Sequence, residues 1–62
     1  MSLTNFKTMD VNILLSIVNM QLRDKYSSLN DLARYYDIVE DELCQKLAAA
    51  DFHYDAKSNQ FK

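Results

Sequence analysis

The chain has 62 residues, 48% of them apolar, and a formal net charge of −2. This length predicts a single small domain, residues 1–62, and the apolar content excludes a disordered segment. The acidic balance excludes a general attraction to nucleic acid or anionic membranes, while one cysteine, Cys44, and one histidine, His53, exclude an internal disulfide and a structural zinc site.

The first predicted element is a helix from residue 10 to about residue 26. Residues 1–8 show no period and lead into it, and Thr8 or Asp10 has the short side-chain oxygen that caps a helix start. Apolar residues then recur at steps of three and four, which places them on one face toward the core. They are Val11, Leu14, Leu15, Val18 and Leu22.

Two shorter helices follow a break at Ser27-Ser28. The segment SLND (28–31) resembles a capping box and starts a helix over 29–36. Asp37 is expected to adopt the left-handed conformation that ends a helix where glycine is absent. A third helix is expected over about 40–51, with Leu43, Leu47 and Ala50 on its core face.

The C-terminal segment FHYDAKSNQF (52–61) changes to a period of two and contains a turn-rich centre. This pattern predicts a short β-hairpin or an extended strand. A lone hairpin is marginal in water, so Phe52, Tyr54 and Phe61 should pack over the helices.

Helices two and three also have the spacing of a helix-turn-helix. Ala33 is the small residue at the helix crossing, Asp37 stands at the turn, and Ile38, Leu43 and Leu47 are apolar anchors. The predicted fold is therefore a small, mainly α domain of three helices, with a helix-turn-helix-like second and third helix and a short extended or hairpin C-terminal tail.

DNA binding through that motif is the less favoured of two functional hypotheses. The third helix would enter the major groove with its N-terminal end, which carries Glu40, Asp41 and Glu42. Carboxylates there repel phosphate, whereas they favour the helix start itself. Under this alternative, a regulator of the helix-turn-helix type, the DNA-facing residues would be Arg34, Gln45, Lys46 and Lys57.

The favoured hypothesis, a protein-interaction or oligomerisation module, comes from a second apolar stripe on the first helix. Ile13, Ile17 and Met20 lie nearly opposite the predicted core face. A helix that is apolar on two faces should be buried on two, so we expect a homodimer, or a complex with another protein, through this stripe. The alternative is that the C-terminal tail folds back and covers it.

No set of residues has the spacing of a catalytic centre. His53 has no evident nucleophile beside it, and Cys44 is expected to be a half-buried small residue. We therefore expect a non-enzymatic protein without a cofactor. With no apolar run of membrane-spanning length and no secretory signal pattern, a cytoplasmic location is the default.

Three segments carry a resemblance to a known family: LLSIVNMQLRD (14–24), YSSLNDL (26–32) and NQF (59–61). Together they resemble a family of very short bacterial proteins catalogued as a domain of unknown function, the one numbered forty-two fifty. The resemblance extends over most of the chain and contains no catalytic motif. It implies a compact, free-standing bacterial protein and brings no site residues with it.

Overall fold

The computed structural model describes residue 3 and residues 5–62. A 3-10 helix, Phe6–Thr8, is followed by α1 (Val11–Asp24), α2 (Leu29–Tyr36) and α3 (Glu40–Ala48). Strands β1 (Tyr54–Asp55) and β2 (Gln60–Phe61) form an antiparallel hairpin, with Tyr54 opposite Phe61 and Asp55 opposite Gln60. The predicted mainly α fold with a C-terminal hairpin is confirmed; α1 and α3 are each shorter at the C-terminal end than the sequence predicted.

The helix boundaries follow from local hydrogen bonds. The Asp10 carboxylate accepts from the backbone N–H groups of Asn12 and Ile13, which identifies Asp10 as the cap of α1. Ser28 caps α2 by accepting from the N–H of Asp31 at 3.2 Å. Asp37 then adopts the predicted left-handed conformation, with φ 56° and ψ 46°, and ends α2. Residues 37–39 are the turn into α3.

The core lies where the three helices, the N-terminal segment and the hairpin meet. It includes the predicted Leu14, Val18, Leu22, Leu43, Leu47 and Phe61, together with Leu32 of α2. Two further core residues, Leu3 and Phe6, come from the segment for which the sequence predicted no structure. Val11 and Leu15 are only partly buried and pack against this core. Leu3 and the 3-10 helix Phe6–Thr8 are therefore part of the fold rather than a leader into α1.

The hairpin is fixed to α1 by the side-chain amide of Asn19. Its Nδ2 donates to the carbonyl oxygen of Phe61 at 3.0 Å, and its Oδ1 accepts from the N–H of Phe61 at 2.7 Å. These are the two backbone groups that β1 does not pair, since the hairpin bonds fall on the neighbouring residues. Asn19 thus takes the place of a third strand and holds the Phe61 ring in the core.

A second amide, Asn59, closes the C-terminal end of α1. Its Nδ2 donates to the carbonyl oxygens of Leu22 and Tyr26, each at 3.0 Å. Its Oδ1 accepts from the Tyr54 hydroxyl at 2.6 Å. Because the last carbonyls of a helix lack partners within the helix, this contact acts as a cap supplied from the hairpin.

Candidate interaction surface

The predicted second stripe of α1 is wrong at its central residue. Ile13 and Met20 are 56% and 49% exposed, but Ile17 is 7% exposed and belongs to the core. At 100° per residue, Ile17 lies 60° from Leu14 and 40° from Gln21, both of which are buried. The core face of α1 is wide enough to include Ile17, so Ile13 and Met20 alone remain of the stripe. We call these two side chains the α1 patch.

The C-terminal tail does not cover the α1 patch, contrary to the alternative prediction. The hairpin is bound on the side of α1 that carries Asn19, whereas Ile13 and Met20 remain exposed. The half of the tail prediction that concerns the core is confirmed, because Phe61 is buried and both Phe52 and Tyr54 pack against the core.

A cavity of about 250 Å³ lies beside Met20. All of its walls come from α1 and the residue after it: Ile17, Met20, Gln21, Asp24 and Lys25. Ile17 forms apolar wall, while the Asp24 and Lys25 side chains stand at the end of the helix. The α1 patch therefore borders a recess of its own helix.

Three tyrosines continue this surface onto α2. The hydroxyl of Tyr36 donates to Oε1 of the buried Gln21 at 2.7 Å, which joins the cavity wall to the cluster. The rings of Tyr26, Tyr35 and Tyr36 have centroids 5.1–6.2 Å apart. Tyr35 is 71% exposed. Partial burial is the main cause that raises the pKa of Tyr26, and the neighbouring Tyr36 hydroxyl is the next. This tyrosine cluster adds aromatic surface next to the α1 patch.

A second, more polar groove of about 620 Å³ runs between α1 and the hairpin. Ser16 and Arg23 line it on α1, and Ser58 and Gln60 line it on the hairpin. Arg23 is bound to the adjacent Asp24, with Nε–Oδ1 at 3.0 Å, and Ser58 donates to Asp55 at 2.7 Å. The Arg23 guanidinium and the Ser58 hydroxyl at this groove are thus already paired within the chain.

The residues of the predicted DNA-facing surface lie on three different elements. Arg34 is exposed on α2, Gln45 is exposed on α3 and Lys57 is exposed in the hairpin turn. Lys46 is directed to the N-terminal segment, where its Nζ donates to the carbonyl oxygen of Lys7 at 3.1 Å. The exposed positions of α3 are Asp41, Gln45 and Ala48. That face carries a carboxylate and no basic side chain.

The acidic start of α3 is partly used in the fold. The Glu42 carboxylate accepts from Lys7 Nζ at 2.9 Å, which ties α3 to the N-terminal segment. With Glu40 and Asp41, it lies in the first turn of α3, where acidic side chains stabilise the helix dipole.

Cys44, the one cysteine, lies on α3, and His53, the one histidine, lies just before β1. Burial raises the pKa of the Cys44 thiol, and the nearby Glu40 and Asp41 raise it further. A thiol with a raised pKa is a poor nucleophile at neutral pH. His53 is exposed and contacts the carboxylate of Asp51 at 3.2 Å.

The described residues form neither a metal-binding cluster nor a membrane-spanning helix. Residue 3 and residues 5–62 contain no group of three or more side chains placed to hold a metal ion. In the same residues no helix has both the length and the apolarity needed to cross a membrane.

The fold and surface define the class of protein: a small, mainly α domain with a C-terminal hairpin and an exposed apolar patch on α1. The chain belongs to the family described as "Domain of unknown function (DUF4250)", whose model matches residues 8–61. The family suggested by the resemblance is thereby confirmed. Comparisons with curated proteins and with solved structures found no match.

Proposed function

We propose that this protein is a non-enzymatic interaction module that associates with a second copy of itself through the α1 patch. The observation that carries the proposal is the exposure of Ile13 and Met20 on a helix whose neighbouring face, which includes Ile17, is already buried. Exposed apolar groups next to a recess and an aromatic cluster are typical of protein-binding surfaces. The raised pKa of the Cys44 thiol also argues against nucleophilic catalysis by that residue.

The size of the α1 patch sets the expected strength of association. Ile13 and Met20 are each about half exposed, so burying the remainder contributes about 1 kcal/mol per side chain. The four side chains of a two-fold dimer then contribute ~4 kcal/mol, similar to the lower estimates of the entropy lost on association. Contacts from the tyrosine cluster are needed for a net gain. If those contacts contribute a net gain of about 4 kcal/mol, the dissociation constant is expected near the millimolar range.

Sedimentation analysis from micromolar to millimolar protein tests the proposal. Met20→Glu places a charge in the patch and should abolish association, because an unpaired carboxylate is costly to desolvate. Gln45→Glu is the matched control, since it adds the same charge on the exposed face of α3 and should associate as the wild type does. A wild type that stays monomeric at millimolar concentration, or a Met20→Glu variant that associates equally well, would contradict the proposal.

DNA binding is a second candidate that the geometry does not favour. A phosphate backbone is held by clustered lysine and arginine side chains, and Arg34, Lys46 and Lys57 are distributed over three elements. A gel shift with mixed genomic DNA at low salt tests this candidate. We expect no salt-sensitive shift, and a tight one would reverse the ranking.

The proposed module acts in the cytoplasm. A free thiol such as Cys44 stays reduced there, and the acidic net charge of −2 gives no general affinity for anionic lipid surfaces.

A further inference from the structure

The cavity beside Met20 has the form of an acceptor site for a single side chain of a packed helix. Four of its five wall residues, Ile17, Met20, Gln21 and Asp24, are spaced i, i+3, i+4 and i+7 along α1, and the fifth is Lys25 at the helix end. In packed helix pairs, one side chain inserts as a knob into a hole formed by four residues with this spacing. A volume of about 250 Å³ accommodates a branched aliphatic side chain.

A suitable knob lies on the same helix. Ile13 is 56% exposed and precedes the centre of the hole by seven to eight residues, or about 11 Å along the helix axis. If two α1 helices are related by a two-fold axis beside Ile17, Ile13 of each copy faces the hole of the other. In a parallel pair, Ile13 would instead meet Ile13, and both holes would stay empty.

The charges at the ends of α1 also favour the antiparallel arrangement. The N-terminal end carries the Asp10 carboxylate, and the C-terminal end carries Arg23 and Lys25 with the intervening Asp24. Since Asp24 is paired with Arg23, the C-terminal end keeps a net positive charge. Antiparallel pairing brings these opposite ends together and opposes the helix dipoles favourably.

We propose that two copies of the chain pair through antiparallel α1 helices, with Ile13 of each copy inserted into the hole formed by Ile17, Met20, Gln21 and Asp24 of the other. This geometry rests on the proposed function, because it specifies how the self-association takes place. The isologous arrangement satisfies both holes with one kind of contact.

Disulfide trapping between two singly substituted proteins tests the geometry. Both carry Cys44→Ser, so that the introduced thiol is the only one; one carries Ile13→Cys and the other Met20→Cys. A disulfide needs Cα atoms within about 7 Å, which the antiparallel pair provides between positions 13 and 20 but not between position 13 and its own copy. Mixed disulfides should therefore exceed Ile13→Cys homodisulfides about tenfold, whereas random collision gives an excess of only about twofold.

Gln45→Cys, mixed with Ile13→Cys, measures the collision background, and circular dichroism verifies that each variant is folded. Predominant Ile13→Cys homodisulfides would show a parallel pair and overturn the geometry. A statistical mixture from a protein that dimerises in sedimentation would also overturn it while leaving the interaction function intact. A wild type that is monomeric at every concentration would overturn the proposed function itself, and the geometry with it.

Discussion

The contact of Asn59 with the end of α1 should be among the most important polar interactions for stability. Asn59→Ala removes the two bonds that Nδ2 donates to Leu22 and Tyr26 and the bond that Oδ1 accepts from Tyr54. At about 1 kcal/mol for each hydrogen bond, the loss is ~3 kcal/mol. Alanine must also adopt the left-handed conformation at φ 54°, which costs roughly 1 kcal/mol more. The total free energy of unfolding of a chain of this size is only about 3–9 kcal/mol.

Urea denaturation followed by circular dichroism measures the effect. Asn59→Ala should lose ~4 kcal/mol, and Asn59→Gly should lose about 1 kcal/mol less, because glycine tolerates positive φ without strain. Asn30→Ala, on the exposed side of α2, is the control and should change the free energy of unfolding by less than about 0.5 kcal/mol. An Asn59→Ala variant within about 1 kcal/mol of the wild type would refute the view that this amide holds the hairpin to α1.

Three further predictions concern the core, acid stability and thiol reactivity. Ile17→Glu should lose ~3 kcal/mol or more of the free energy of unfolding and unfold the protein, since it places a carboxylate in the core. Met20→Glu, in contrast, should leave the circular dichroism spectrum unchanged. A folded Ile17→Glu variant would contradict the burial of Ile17. The hydrogen bond from Ser58 and the contact with Lys62 hold the pKa of Asp55 below its usual 3.8. The contribution of Asp55 to the free energy of unfolding is therefore present above that pH and is lost as the pH falls through the lower folded-state pKa. Asp55→Asn should therefore weaken the dependence of the urea midpoint on pH below about 4. A variant whose urea midpoint falls with acid as steeply as that of the wild type would show that Asp55 does not contribute to acid sensitivity. Because burial raises the pKa of the Cys44 thiol, native protein at neutral pH should react with a thiol reagent far more slowly than unfolded protein, and equal rates would refute it.

The sequence predicted the helices well because their signals are local. The steps of three and four in α1, the Ser28 cap and the left-handed Asp37 each depend on residues within one or two turns. The structure reproduces the Ser28 cap and the Asp37 conformation. The structure departs from the prediction at Ile17. A helix that carries apolar residues around most of its circumference does not by itself specify where its buried face ends.

The parts that could not be predicted depend on contacts between distant positions. Asn19 and Phe61 are 42 residues apart, and Asn59 and Leu22 are 37 apart. An asparagine inside a helix is a weak signal, since its low helix propensity only suggests that its side chain has another role. Leu3 and Phe6 were missed for a related reason: a segment this short has no period, although both side chains are buried.

Two segments that carry the family resemblance, LLSIVNMQLRD and NQF, acquire a structural explanation from these contacts. Asn19 and Gln21 of the first segment bind Phe61 and Tyr36, and Asn59 of the last segment caps α1. Since these polar side chains build the fold, their presence in the chain is no argument for a catalytic or ligand-binding site.

The same contacts bear on how association and stability are related. A partner that binds only the folded chain raises the free energy of unfolding by RT ln(1 + [L]/Kd). This is only about 0.4 kcal/mol when the free concentration of the partner equals the dissociation constant. With an expected constant near the millimolar range, the proposed dimer would add almost nothing to the free energy of unfolding at ordinary concentrations. The monomer must therefore be held by its own core and by the amides of Asn19 and Asn59. The exposed Ile13 and Met20 are not part of the core that holds the monomer. Substitutions in the α1 patch should therefore change association while the fold stays intact.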